Sequence, residues 1–493
     1  MKLALAIATL LMDIVSLVLV FACIMLFLLI AFVLIVPPSI SEGSGTTSIW
    51  RGLSIWLTDT LGSALVRLEE HFWFYVPLGI IGLWRWLTWG FKRTCSAYYK
   101  PIEVQPQPYE SSISIITPVY NEDAKTFRKA LDSWEANSPD EIIAVIDASD
   151  QECIKTFREF SHRKGWAKLL ITAKRGKREA IVDGIIAASG KIVALVDSDT
   201  MWSNGIRESL LAPFSDPDIA GVTPRNHPIE RNSLWQKMTD IFWDIRNFYD
   251  LPSQTAMGCA LTCLTGRTSL YRREILLPKL DEFLNEVLLG RRKESGEDKC
   301  FTRLVQKEGW KTYYQKTAAI YSAAAPDFRT FVSQRLRWTR NSHNSDLASL
   351  VEGWAWKHPY LAFYMVDRYL STFTLFLGPI FMGISIFLNQ WVVAGAILAL
   401  WMCGRAIKIL PHLKRHPRDL ILLPVFVVVY FLVALIKLYA LVTIREQIWI
   451  REDELTDMKF KYRKPGVFQK IKDWILTTEI ITSIVFIVIF VLR

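Results

Sequence analysis

Cysteine is scarce in this chain: seven residues in 493, an odd number, with no C-x-x-C pair. That spacing argues against a disulfide framework and structural zinc, and it suits a reducing, cytoplasmic setting. Cys259 and Cys263 stand four apart, but no further Cys or His completes a ligand set, so they read as packing residues. No cleavage site of small residues follows the long apolar run at the amino terminus, which argues against a secretory leader there. Acidic residues are outnumbered, 48 against 58 Lys and Arg, for a net charge of +10. Such an excess can mark a nucleic-acid binder. Here the basic residues cluster beside apolar stretches: Arg85, Lys92, Arg93 and Lys100, then Arg405, Lys408, Lys414, Arg415 and Arg418. That placement is the positive-inside pattern of a protein meeting anionic headgroups, so a lipid bilayer and no nucleic acid is the expected partner.

With 51% hydrophobic and 22% charged residues, the chain is too apolar for an ordinary soluble protein and too charged for a bare helical bundle. A soluble domain between membrane segments reconciles the two. Residues 1–100 are expected to form an amino-terminal membrane region: one long or tilted helix over Leu3–Val36, an outer loop at 40–70, and a Trp-rich span over Phe72–Trp89. Residues 101–345 are expected to be the soluble domain. Residues 346–493 then return to the membrane, through an interfacial helix near 345–360 and spans at 366–388, 390–410 and 476–492. The stretch 420–443 has two readings. Crossing would put the basic segment 445–474 outside, whereas a re-entrant or surface-lying segment keeps it inside, as Arg445, Arg451, Lys459, Lys461, Arg463 and Lys464 favour.

Within 101–345 a different pattern begins. After a linker holding Pro101, Pro106 and Pro108, short apolar strands at 113–116, 142–146 and 192–196 alternate with helical stretches near 123–136, 152–164 and 177–188. Such alternation predicts a parallel sheet with crossover helices. Two of the apolar runs end on carboxylates, at Asp147 and at Asp197 with Asp199, where open α/β sheets bind ligands.

The strongest chemical signal is L195-V-D-S-D199. A strand running into Asp-x-Asp places two carboxylates where Mg²⁺ or Mn²⁺ can be held and bridged to diphosphate oxygens. A turn whose aspartates cap the next helix is the blander alternative. R175-G-K-R178, just before a helix, offers Lys177, Arg178 and free backbone N–H groups to a diphosphate, or is simply a solvated basic turn. Asp147 is placed to accept hydrogen bonds from a nucleotide base. In G296-E-D298, Asp298 is the candidate general base and Glu297 the less favoured one; a helix N-cap is the alternative. In Q334-R-L-R-W338, Gln334 shares a helical face with Arg337 and Trp338, a cation for pyrophosphate and an indole for a sugar. The same face also suits an interfacial anchor.

This series, in this order, resembles the family 2 glycosyltransferases, and more narrowly the membrane-embedded processive synthases of hyaluronan, cellulose, chitin and alginate. The resemblance covers roughly residues 70–450. It implies an α/β fold plus membrane α-helices: a cytoplasmic GT-A, Rossmann-like domain inserted between amino- and carboxy-terminal transmembrane helices. It also implies an inverting enzyme, a nucleotide-sugar donor, with a UDP-sugar favoured over a GDP-sugar, and Mg²⁺ or Mn²⁺. By motif, Asp147 resembles the base-binding aspartate, Lys177 the residue reaching the diphosphate, Asp197 and Asp199 the metal pair with Asp199 the direct ligand, and Asp298 the catalytic base. Gln334, Arg335, Arg337 and Trp338 match the signature that caps the active site. Trp449 and Arg451 fit loosely a loop over the donor site. Thr265-Gly266-Arg267 stands where hyaluronan synthases carry a Ser-Gly-Pro-type stretch, which tells against hyaluronan as the product.

The expected function is therefore a multi-pass plasma-membrane polysaccharide synthase that extends a glycan and moves it across the bilayer. Its alternative is a non-processive enzyme glycosylating a lipid acceptor such as diacylglycerol or a polyprenyl phosphate.

Overall fold

The computed structural model describes residues 72–444, apart from Arg175 and residues 289–290. The expected span at 3–36, the loop at 40–70, the basic segment 445–474 with Trp449, and the span at 476–492 lie outside the described residues. The described residues divide into two compact units, one holding residues 98–369 and 435–444, the other holding residues 72–97 and 370–434.

The first unit is built on an eight-stranded mixed sheet. In chain order its elements begin β1 (Ile113–Val119), a helix at Ala124–Glu135, β2 (Glu141–Asp147), a helix at Gln151–Ser161, β3 (Ala167–Thr172), a helix at Lys177–Ala187 and β4 (Ile192–Val196). There follow β5 (Met201–Trp202), β6 (Ile219–Pro228), β7 (Thr268–Arg272) and β8 (Lys311–Ser322), giving the strand order β3-β2-β1-β4-β7-β6-β8-β5. Strands β3, β2, β1 and β4 are parallel neighbours. The chain steps outward from β1 through β2 to β3, then returns to β4 on the other side of β1, and that reversal opens a crevice at the carboxyl ends of β1 and β4.

These strands are apolar runs because both faces are covered. Phe127, Leu131 and Trp134 of the first helix and Phe157 and Phe160 of the second pack on one face. Ile181 and Ile185 of the third helix, with Phe301 and Leu304, pack on the other. That third helix approaches β1 so closely that a Cβ on Gly184 would sit 2.3 Å from Ile116 Cγ2. Helix starts are fixed by carboxylates: Asp123 accepts from Thr126 N–H at 2.7 Å and Asp150 from Cys153 N–H at 3.1 Å, each satisfying an otherwise unpaired donor.

Three helices complete the site's scaffold: α1 (Leu234–Ile245), α2 (Glu297–Lys307) and α3 (Phe328–Val351). Helix α3 corrects an expectation. Residues 345–360 are not one interfacial helix: α3 runs to Val351, Gly353 turns the chain at φ +82°, and Trp354–Lys357 forms a single 3₁₀ turn. A left-handed glycine ends the helix because only glycine adopts that φ without strain.

Beyond the 3₁₀ turn lies α4 (Pro359–Phe387), then α5 (Trp391–Lys408) and α6 (Leu423–Val442). Segments Pro359–Phe387, Trp391–Lys408 and Pro417–Val442 are long and apolar enough to cross a membrane, the last with a mean hydropathy of 2.8. They correspond to the segments expected at 366–388, 390–410 and 420–443. In the second unit Trp401 packs on Phe431 with ring centres 4.6 Å apart, and the Arg405 guanidinium lies 3.5 Å from the centre of the Tyr430 ring. The Trp-rich helix Phe72–Ala97 is longer than the expected span and carries Arg85, Lys92 and Arg93 within it; it is not among those three segments.

Candidate active site

The D-S-D turn leaves β4 at the crevice and is pinned from several sides. Asp197 N–H donates to the Arg267 carbonyl at 3.2 Å, Thr200 N–H to the Asp197 carbonyl at 3.0 Å, and Trp134 Nε1 to the Thr200 carbonyl at 2.9 Å. Ser198 Oγ donates to Glu122 Oε2 at 2.9 Å, tying the turn to the loop after β1. Glu122, the last residue of T117-P-V-Y-N-E122, thus belongs to this end of the sheet. Its position was visible in the sequence; its partner was not, because the two residues follow strands that neighbour each other only after crossover.

Lys177 opens its helix beside this turn. Its Nζ lies 2.7 Å from Asp197 Oδ1 and 2.5 Å from Glu297 Oε1 at the start of α2. Burial opposes its charge, but the two carboxylates outweigh that and hold the lysine pKa above its ordinary value. Burial likewise opposes ionisation of Glu297, and Lys177 with Arg337 reverses this, holding the carboxyl at about 2. Asp199 goes the other way. Burial and the charge of Asp197 raise it to about 6, with Arg267 partly offsetting them. Two carboxylates whose mutual repulsion raises one of them, offering only hard oxygen donors, fit a Mg²⁺ or Mn²⁺ ion between them.

Asp298 follows Glu297 on the first turn of α2, and its Oδ1 accepts from Lys299 N–H at 2.8 Å. The preceding Gly296 takes φ +82°, and a Cβ there would sit 3.1 Å from the Asn341 side chain of α3. Ser295 Oγ also bonds Asn341 Oδ1, at 3.1 Å, so α3 braces the G-E-D turn directly. Gly266 stands against Asp298 from the other side: a Cβ there would lie 3.6 Å from Oδ2. Asp147, at the end of β2, has Oδ1 accepting from Ser149 N–H at 2.9 Å and Oγ at 2.6 Å.

Gln334, Arg335, Arg337 and Trp338 lie partly buried on α3. Arg337 is close enough to Glu297 to depress its pKa. The Arg335 guanidinium stacks on Phe242 at 4.1 Å. Lys177, Asp197, Asp199, Glu297 and Arg337 are thus brought together, with Asp298 next to Glu297 on the first turn of α2. Arg178 is not. It was expected beside the diphosphate, but its guanidinium is buried, donating to the Phe283 carbonyl at 2.6 Å and pairing with Glu286 at 2.6 Å. One residue along a helix turns a side chain by about 100°, enough to send Lys177 to the crevice and Arg178 to the core.

A second set with metal-ligand chemistry was not read from the sequence. His227 on β6 and Asp240 and Asp244 on α1 bring ligand atoms within 4.8 Å of one another, all buried. The i, i+4 spacing of the aspartates was legible, but the approach of β6 was not. Arg231 Nε stands 2.6 Å from Asp240 and already balances that carboxylate.

The description "Glycosyltransferase like family 2" fits residues 110–341. A type 2 glycosyltransferase of Pyricularia oryzae is 26% identical over 437 residues, 82% of this chain and 88% of that protein. A hyaluronan synthase of Streptococcus pyogenes is 25% identical over 409 residues, covering 80% of this chain and 96% of its own length. A solved mannosyltransferase of Pyrobaculum calidifontis, in complex with GDP-Man and Mn²⁺, is similar over 72% of this chain and 98% of its own, at 18% identity and a TM-score of 0.49. The strand order, the D-S-D turn and the family match over 110–341 agree: residues 110–341 form a GT-A-like domain that matches the family 2 glycosyltransferases.

Proposed function

We propose that this enzyme is an inverting membrane polysaccharide synthase, drawing a sugar from a nucleotide-sugar donor, a UDP-sugar ahead of a GDP-sugar, to extend a glycan. The observation that carries the reading is the convergence of three motifs on one crevice: Lys177 touches Asp197 of D-S-D and Glu297 of G-E-D. Asp298, next to Glu297, takes the proton from the acceptor hydroxyl, which attacks the anomeric carbon opposite the leaving diphosphate. Lys177 and Arg337 supply positive charge to that diphosphate as it departs. Asp199, with Asp197, would hold Mg²⁺ or Mn²⁺, whose charge when bound neutralises the diphosphate. Asp147 accepts hydrogen bonds from the nucleotide base, while Gln334, Arg335, Arg337 and Trp338 of α3 close the site.

Extension coupled to export is supported by three crossing-capable segments that follow the catalytic domain, and by a likeness to hyaluronan synthase that extends over 80% of the chain. In this reading the enzyme is a multi-pass protein of the plasma membrane with its catalytic domain in the cytoplasm. The test is a membrane-vesicle assay with Mn²⁺ and labelled UDP- and GDP-sugars, products resolved by size. A high-molecular-weight, glycosidase-sensitive product supports the synthase. A single labelled lipid would replace it with a glycolipid-forming enzyme whose helices serve as an anchor.

A further inference from the structure

We infer that Asp346 is a positioning residue for the transfer step: it fixes Asp298 through Lys299, and through Arg368 it ties that setting to α4. This rests on the reading of Asp298 as the base, and it names a residue outside the sequence motifs on which that base depends.

A carboxyl on the first turn of a helix is only as well aimed as the turn that carries it. Asp298 Oδ1 accepts from the Lys299 N–H at 2.8 Å, so the main chain of Lys299 sets where that carboxyl points. Thr302 Oγ1 donates to the Asp298 carbonyl at 2.7 Å, one turn further on. Both bonds lie within α2, and neither stops the helix from sliding or turning as a body.

Contacts to α3 do so. Ser295 Oγ bonds Asn341 Oδ1 at 3.1 Å, Lys299 Nζ pairs with Asp346 Oδ1 at 3.0 Å, and Arg303 pairs with Glu352 at 2.8 Å. Ser295, Lys299 and Arg303 stand four apart, about one helical turn, so the contacts form a ladder along one face. Asp298 falls between its first two rungs.

The middle rung differs from the others in strength and reach. Lys299 and Asp346 are both buried, whereas the Glu352 side chain of the last rung is 33% exposed. The second oxygen of Asp346 pairs with Arg368 of α4 at 2.8 Å, so one carboxylate holds cations from two other helices. A charge pair out of water is strengthened by its surroundings and cannot exchange its partner for solvent. Lys177 fixes the G-E-D turn through Glu297 from the crevice, and Asp346 fixes it through Lys299 from α3. Losing the second hold lets the base drift, and a displacement of about 1 Å can cost about 10²-fold in rate.

The test uses the purified full chain in lipid vesicles, with initial rates of sugar transfer measured over a range of labelled UDP- and GDP-sugar concentrations. Asp346→Asn keeps size and loses charge, and it should lower kcat by about 10²-fold while the KM for the donor holds. Lys299→Met should give the same split. It leaves Asp346 paired with Arg368, and it serves if Asp346→Asn does not fold. Lys299→Arg, which keeps a cation, should recover most of the rate. Arg368→Gln should lower kcat in the same direction, and native kcat there overturns the link to α4. The deciding measurement is made in Asp298→Asn. With the base gone, adding Asp346→Asn or Lys299→Met should lower the residual transfer by no more than about twofold, because residues that act as a unit are not additive. A fall by the same factor in both backgrounds, or a donor KM that rises as kcat falls, overturns the inference and leaves Asp298 as the base. Full transfer by Asp298→Asn alone, or no transfer from any donor by the native chain, removes the reading beneath and the inference with it.

Discussion

Lys177 and Glu297 meet at 2.5 Å although 120 positions apart in the sequence, and through this contact the start of one helix is fixed against the start of another. The same ammonium reaches Asp197 at 2.7 Å, so one side chain sets the spacing between the D-S-D turn and the turn that carries Asp298.

Replacing Lys177 by Met should therefore harm stability and catalysis together. It leaves Glu297, depressed to about 2 by its partners, buried without its main counter-charge. Loss of about 3 kcal/mol of stability is expected for breaking such a pair. Thermal denaturation and kcat/KM for the donor should both fall, and an unchanged melting temperature would deny the ion pair a structural role.

Asp298→Asn tests the base. The amide keeps the shape of the carboxyl but accepts no proton, so transfer should fall by roughly 10²–10⁴-fold. Donor affinity, measured by calorimetry, should hold. Substantial residual transfer would take Asp298 out of the role.

Asp199 predicts a pH dependence. Its folded pKa near 6 lies above the ordinary 3.8, so between those values the folded protein binds more protons than the unfolded one, and this group's contribution to stability falls as pH rises through the window. The ionised form made by that rise is the one that ligates metal. Stabilisation by added Mn²⁺ should accordingly be small at pH 5 and larger at pH 7.5, in melting curves with Mn²⁺ against chelator. In Asp199→Asn the pH dependence of that difference should flatten.

Arg178→Ala separates the two neighbours. It strands buried Glu286, which also pairs with Arg303 at 2.9 Å, and about 3 kcal/mol of destabilisation is expected. Material that remains folded should keep its KM for the donor. A large rise in KM would return Arg178 to the diphosphate.

Gly296→Ala examines the brace under the base. Alanine at φ +82° costs about 1 kcal/mol in backbone strain, and its methyl would stand 3.1 Å from Asn341. Lower kcat is expected with little change in donor binding, because the turn displaced carries Asp298.

Three of the four strands in the parallel half of the sheet were readable because they are apolar on both faces, two of them running into carboxylates: residues 113–119, 141–147 and 192–196 cover the runs read at 113–116, 142–146 and 192–196, while β3 was not read. Strands β6 and β8 were not. β6 carries Pro224, Arg225, His227 and Pro228, and β8 carries Lys311, Gln315 and Lys316, polar residues that conceal a strand when periodicity is the only guide. Their pairing across register shifts near Gln315 and Ala319 exists only in three dimensions.

The site divides in the same way. By itself the sequence determined the kinds of chemistry present, since Asp-x-Asp at a strand end and Gly-Glu-Asp before a helix need only local geometry to put carboxylates in a crevice. It also determined that apolar segments follow the catalytic domain, because length and hydropathy are properties of a stretch of chain. Only the tertiary structure decided which partner each charge takes. Lys177 turns to the crevice and Arg178 to Glu286, and Arg267 comes to rest between Trp243 and Trp338. Those choices depend on residues far apart in sequence competing for the same few ångströms, where the strength of each charge pair is set by burial and neighbours that no local pattern records.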